Sequence, residues 1–313
     1  MKIKEIYNLA IEMGKKSDFR GEKEIQRKLD LTKEKFEKLS NEEKELFDKE
    51  KLTNPYSDTR ILFGNSEKEI KKILVGIDIE GQELIWAKEN EVDLVISHHP
   101  EGLALGGLDD VMELQIDVLA QTGIPINVAE KLLQKRIQEV SRGISPINVN
   151  RVVDFAKFID ISFISIHTPA DNLAADFLDK KIKEKEHYFV KDIMNTLKET
   201  QEYKEAEKLG VGPKIFVGNP ENRAGKIVLT EMGGGTSGSP EIYEKLAQSG
   251  VGTIIGMHMQ EKHREEAEKA NINVVIAGHI SSDSLGMNLF LDELEKQEIE
   301  IIPCGGFTRV KRI

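Results

Sequence analysis

Along most of this chain, short apolar runs end in a turn and give way to stretches with helical spacing. No other feature restricts the fold as much. The runs "IKKILVGIDI" (70–79), "VDLVISHH" (92–99), "FIDISFISI" (158–166), "KIVLTE" (226–231), "VGTIIGMH" (251–258), "NVVIAGH" (273–279) and "IEIIPC" (299–304) read as strands, with "IPINVA" (124–129) as a shorter one. Between them "GQELIWAKENE", "DVMELQIDVLAQTG", "AEKLLQKRIQEVSR", "EIYEKLAQSG", "EKHREEAEKANI" and a segment near 286–297 read as helices. Runs that stay apolar on both faces, each followed by a helix, predict α/β layers with mostly parallel sheets. With 313 residues the chain is long enough for two cores. The reading is an N-terminal helical extension over 1–59, a first α/β domain over 60–208 and a second, related one over 209–313. The segment "HTPADN" (167–172) reads as a polar loop closing its strand.

"LTKEKFEKLSNEEKELFDKEK" in the extension reads as the solvated face of helices. A net charge of −11 disfavours nucleic acid and anionic membranes as partners. The N-terminus has interleaved acids where a signal peptide has a continuous apolar core, and no apolar run reaches membrane-spanning length. Cys304 is the single cysteine, which fits a reducing compartment and a small buried residue at a turn. These features together give a cytoplasmic expectation.

The chemistry gathers at strand ends. His98 and His99 close one strand, His167 closes another with Asp171 four residues on, and His279 closes a third with Asp283 four residues on. Ligand sites of open α/β sheets lie beyond the carboxyl ends of the strands. Imidazoles and carboxylates without a thiolate suit Zn, Fe or Mn. Adjacent side chains of a regular strand diverge, so His98 and His99 fit two divalent ions better than one, with a carboxylate such as Asp171 bridging. "AKENEVDLVISHH" (87–99) and "AEKANINVVIAGH" (267–279) align without a gap, which suggests two related units that each deliver a histidine to a shared cleft. His167 and His258 are candidate proton carriers, whereas His187 and His263 fall in charged helical stretches and read as solvated. The loop "GGGTSGSP" opens a helix, with Ser239 as its cap and Pro240 at its first position. Gly233, Gly234, Gly235, Ser237 and Ser239 are its candidate anion-binding residues, although it lacks the lysine of a P-loop.

"DLVISHHP", "HTPADN", "GGGTSG" and "AGHISSD" resemble the motifs of the Nif-three-like dinuclear metal-centre family, also called GTP cyclohydrolase I type 2-like, over about residues 60–313. The resemblance implies a metal-dependent hydrolase acting on a nucleotide-like or phosphorylated small molecule, or a metal-binding scaffold without catalysis. It implies the ligands His98, His99, Asp171, His279 and Asp283, with His167, Ser281 and Ser282 close by, and a homo-oligomeric, hexameric ring. The chain departs from the family pattern at Asp283, where glutamate is usual, at Asn172, and at "GMHM".

Overall fold

The computed structural model describes residues 1–313 and builds them around two sheets. The strands are β1 Arg60–Phe63, β2 Lys72–Gly76, β3 Leu94–Ser97, β4 Ser162–Ser165, β5 Lys214–Val217, β6 Lys226–Leu229, β7 Val251–Gly256, β8 Asn273–Ile276 and β9 Glu300–Cys304. One sheet runs β1-β4-β3-β2-β9 and the other β5-β8-β7-β6. Apart from β9 the second order repeats the first, shifted by four strands. In each sheet the edge strand, β1 or β5, is antiparallel and its pairing carries a register shift, while the others are parallel. The expected mostly parallel α/β architecture is present, but the repeat pairs β4 with β8 and β3 with β7, so the gapless likeness of 87–99 to 267–279, which sets β3 against β8, does not follow the repeat. Every residue of β3, β4 and β8 is buried, which is why these strands read as unbroken apolar runs.

The units interlock more than a linear division of the chain suggests. β9, from the far end of the second half, pairs with β2. Leu119, Ala129 and Leu133, on first-half helices, pack with Ile242, Leu246, Ile254 and Val274 around the second sheet. Helix Ile3–Ser17 puts Ile3 and Ile6 into the first core, beside Met287 and Phe290 of helix His279–Glu295. Both isoleucines are 0% exposed, and burying each is worth about 1.5–3 kcal/mol, so this helix belongs to the core.

Several local expectations are corrected. "IPINVA" is no strand; Pro125 caps helix Ile126–Ile144, whose amphipathic repeat begins one turn earlier than the strand reading allows. "HTPADN" is no loop but the start of helix Thr168–Lys183, with His167 as N-cap, Pro169 in the first turn and Asp171 beside the helix's positive end. Helix Ile242–Gln248 starts later than Ser239 and Pro240 suggested, although the Ser239 hydroxyl does accept the Glu241 amide. β1 and β5 have no counterpart among the expected strands, because edge strands of four residues carry little periodic signal.

Helices Thr168–Lys183 and His279–Glu295 follow the topologically equivalent strands β4 and β8 and pack on each other between the sheets. Gly286 lets them meet, since a Cβ there would run into the carbonyl of Ala170. Each helix carries one His-x3-Asp motif at its start.

Candidate metal centre

Beyond the ends of β3, β4 and β8 the chain brings together four imidazoles and two carboxylates. His98 Nε2 lies 3.4 Å from Asp171 Oδ1 and 3.5 Å from Asp283 Oδ1. His99 Nε2 is 3.5 Å and His279 Nε2 3.6 Å from Asp283 Oδ2, and His167 Nε2 is 3.9 Å from Asp171 Oδ2. These separations are long for hydrogen bonds. They match the spacing of two ligands on one ion, since bonds of about 2.0–2.1 Å in a tetrahedron put ligand atoms roughly 3.4 Å apart. Asp171 is 4% and Asp283 1% exposed. Even so, Asp171 Oδ1, both Asp283 oxygens and His98 Nε2 have no hydrogen-bond partner. Buried carboxylates left without donors are costly unless a cation completes them, so the donor set fits divalent metal. Two triads have ligand atoms within 4.8 Å of one another, His98–His167–Asp171 and His98–His99–Asp283.

The ring nitrogens facing away are also occupied. His98 Nδ1 donates to the carbonyl of Ile166 (3.1 Å), His99 Nδ1 to Asp78 (2.7 Å) and His167 Nδ1 to Asp58 (2.7 Å). Each contact leaves an Nε2 lone pair aimed into the cluster, as metal-binding histidines require. Adjacent His98 and His99 both reach Asp283 because the chain leaves the strand at Ser97. Burial drives His98 toward its neutral form, but Asp283 and Asp171 outweigh it and hold its proton to about 10. Burial likewise opposes charge on Asp283, yet His98, His99 and His279 keep its carboxyl well below the usual range. The metal-free cluster thus stores a proton where a cation fits.

The glycine-rich loop closes one side of the site. Gly233, Gly235 and Thr236 line a pocket together with His167, Asp171, His258, His279 and Asp283. Side chains from outside pin the loop by its carbonyls. Gln115 donates to Gly234 and Thr236, Arg136 to Ser237, and His263 to Gly238. The amides of Gly233, Gly234, Gly235, Thr236 and Ser237 meet no acceptor in the chain. Gly234 and Gly235 have φ of +82° and +87°, a backbone that presents amides to an anion. Ser237 Oγ lies 3.2 Å from His258 Nδ1, whereas Ser239 is engaged with the following turn. Burial, with His279 alongside, pushes His258 down to about 4.

His263, expected in solvent, is 2% exposed, because it shares the inward face of helix Glu261–Lys269 with Ala267. His187 is only half-buried, against Thr196. Cys304 ends β9, and burial pushes its thiol up to about 12. Asp58, Asp78 and Gln115 escaped the sequence reading; Asp58, only two residues before β1, had no periodic signal to mark it.

The sequence model of the Duf34/NIF3 family, described as NGG1p interacting factor 3, matches residues 44–142. About a third of the chain is thus similar to that family's model. The match takes in His98 and His99, while Asp171, His279 and Asp283 join the site through the fold. Among solved structures, the NIF3 superfamily protein from Sphaerobacter thermophilus is 21% identical with a TM-score of 0.78, over 97% of this chain and 98% of that one. Reduced HcgD from Methanocaldococcus jannaschii is 17% identical with a TM-score of 0.52, over 84% of this chain and 94% of that one. Both are likenesses of fold. No curated protein matches the chain by sequence. No helix of this chain is long and apolar enough to cross a membrane.

Proposed function

We propose that this chain is a NIF3-like hydrolase dependent on two divalent ions and acting on a phosphorylated or nucleotide-like small molecule. GTP ring opening is one candidate reaction. The observation that carries the reading is the pair of buried carboxylates, Asp171 and Asp283, whose unpartnered oxygens face imidazole nitrogens. Zn, Fe or Mn bound there would polarise the electrophile and make water nucleophilic near neutral pH. His98, His99, Asp171, His279 and Asp283 would hold the ions. The free amides of Gly233 to Ser237 would cradle the anionic group, and Gln115, Arg136 and His263 keep that backbone in place. His258, neutral at physiological pH and hydrogen-bonded to Ser237, is placed to take up a proton; His167 is the other imidazole suited to that task.

A second reading, a metal-binding or trafficking scaffold without turnover, draws support from Asp283, a shorter carboxylate than the glutamate the resemblance leads one to expect. The test is metal content by plasma mass spectrometry, without chelator, for the wild type and for His99→Ala and Asp171→Ala, followed by turnover on nucleotides and phosphoesters. Two ions per chain, lost in both variants together with activity, support the hydrolase. Bound metal without turnover favours the scaffold, and absence of metal after reconstitution overturns both.

A further inference from the structure

We propose that His167, held by Asp58, is itself a ligand of the metal centre, on the ion that His98 and Asp171 hold. The inference rests on the metal-binding reading above and adds a residue and a supporting carboxylate to it. Three observations carry it.

First, His167 is prepared in the same way as the neighbouring imidazoles. Asp58 is 0% exposed, and its Oδ2 accepts both His167 Nδ1–H, at 2.7 Å, and the Thr168 hydroxyl, at 2.6 Å. The His167 amide donates to Thr59 Oγ1 at 3.0 Å, so backbone and ring are both fixed. A carboxylate oxygen accepts at this contact, so the neutral tautomer of His167 that fits it carries its hydrogen on Nδ1 and turns Nε2 toward Asp171. Carboxylate–histidine–metal relays have this form.

Second, His98, His167 and Asp171 bring one ligand atom each within 4.8 Å, with all three side chains buried. The rings of His98 and His167 have centroids 4.9 Å apart. Bound to an ion, His167 Nε2 would have no lone pair left with which to carry a proton.

Third, the repeated strand order makes His167 the topological counterpart of His279. Each starts the helix after the fourth strand of its sheet, and each stands four residues before an aspartate of the cluster. His279 is in the ligand set the resemblance supplies; its counterpart has the same position and a firmer support.

Asp58 in turn is braced by the N-terminal region. Asn54 donates to the carbonyls of Tyr56 and Thr59, the Tyr56 hydroxyl donates to Asp18, and Asn172 reaches Gly14, Asp18 and Tyr56. This ties residues 54–59 to the first helix and to the helix that bears Asp171. Proton transfer then falls to His258.

The experiment is a titration of the metal-free full chain with Co(II), following the visible ligand-field bands, beside competition with a chelator of known affinity. It compares the wild type, His167→Ala, His167→Gly with added imidazole, and Asp58→Asn. Asp58→Asn keeps the shape but allows the amide to donate to Nδ1 and so misplace the ring proton. The expected result is that His167→Ala weakens one ion by about 100-fold and changes its bands, and that Asp58→Asn weakens the same ion by roughly 10-fold or more. Imidazole should restore the His167→Gly spectrum, which a structural role would not produce. Two ions bound with unchanged affinity and spectrum in His167→Ala would overturn this inference and leave the metal reading standing. No ion bound by the wild type would overturn both.

Discussion

His98 and Asp283 set how the centre responds to pH, because a proton and a metal compete for the same lone pair. In the metal-free chain, the raised His98 contributes stability that is complete below its ordinary value of 6.5 and lost as pH climbs toward about 10. Asp283, depressed below 3.8, contributes stability that is complete above that value and lost only in stronger acid. The pair therefore supports the metal-free protein most between about 3.8 and 6.5. Metal binding needs the imidazole deprotonated, so its contribution grows in the opposite direction. Melting temperatures taken from about pH 5.5 to about 8.5, with chelator and with saturating zinc, should diverge as pH rises; a constant gap would contradict competition at His98. At this scale the residues that the fold gathers were legible, since His98, His99, His167, Asp171, His279 and Asp283 announce themselves by type and by position after apolar runs. Asp58 and Asp78 were not, because a carboxylate that orients a histidine has no fixed spacing from it. His263 was misread because seven charged neighbours masked a single inward turn of its helix.

The helix pair Thr168–Lys183 and His279–Glu295 decides whether the two halves of the centre meet. Gly286 sits where any side chain would strike the Ala170 backbone. Gly286→Ala gains about 1 kcal/mol of helix propensity, but forcing a methyl against a carbonyl in a packed core costs about 1–3 kcal/mol or more. The steric term wins, and calorimetry should show a lower melting temperature together with reduced zinc occupancy. An unchanged occupancy would mean that the helices tolerate separation. Gly14 makes a similar close approach to Pro169, 2.7 Å from a built Cβ to the ring, so Gly14→Ala should loosen the Asp171 helix in the same assay. The sequence pointed to the strands β2, β3, β4 and β6 to β9 by their apolar runs. It did not show that "HTPADN" begins a helix, because three polar residues after a strand outweighed the proline and the first-turn aspartate that mark a helix start.

Across the whole molecule, the interlocking of the halves predicts one cooperative unfolding event. Cutting the chain between residues 208 and 209 separates β9 from β2 and the second sheet from the helices that cover it. The two pieces should be soluble only when co-expressed, and a piece 209–313 that gives a dispersed amide spectrum alone would refute this. Because the ligands come from both halves, saturating metal at 100-fold over its Kd should add about 2.7 kcal/mol to global stability. Chelation should therefore lower a single melting transition rather than detach one half. Composition and alternation made the two-unit architecture legible; the exchange of β9 and of the covering helices was hidden, since partner choice across a fold leaves no local pattern.

The repeated strand order carries a further consequence, one of descent. A lone unit with a histidine after its third strand and His-x3-Asp after its fourth would build a comparable centre by pairing with an identical copy across a two-fold axis. Joining two such copies in one chain releases each from having to match the other. That freedom is visible where His98 and His99 follow β3 but Met257 and His258 follow β7. One flank of the cleft offers a pair of imidazoles and the other an imidazole and a thioether, so the two flanks present different donors to whatever the cleft holds.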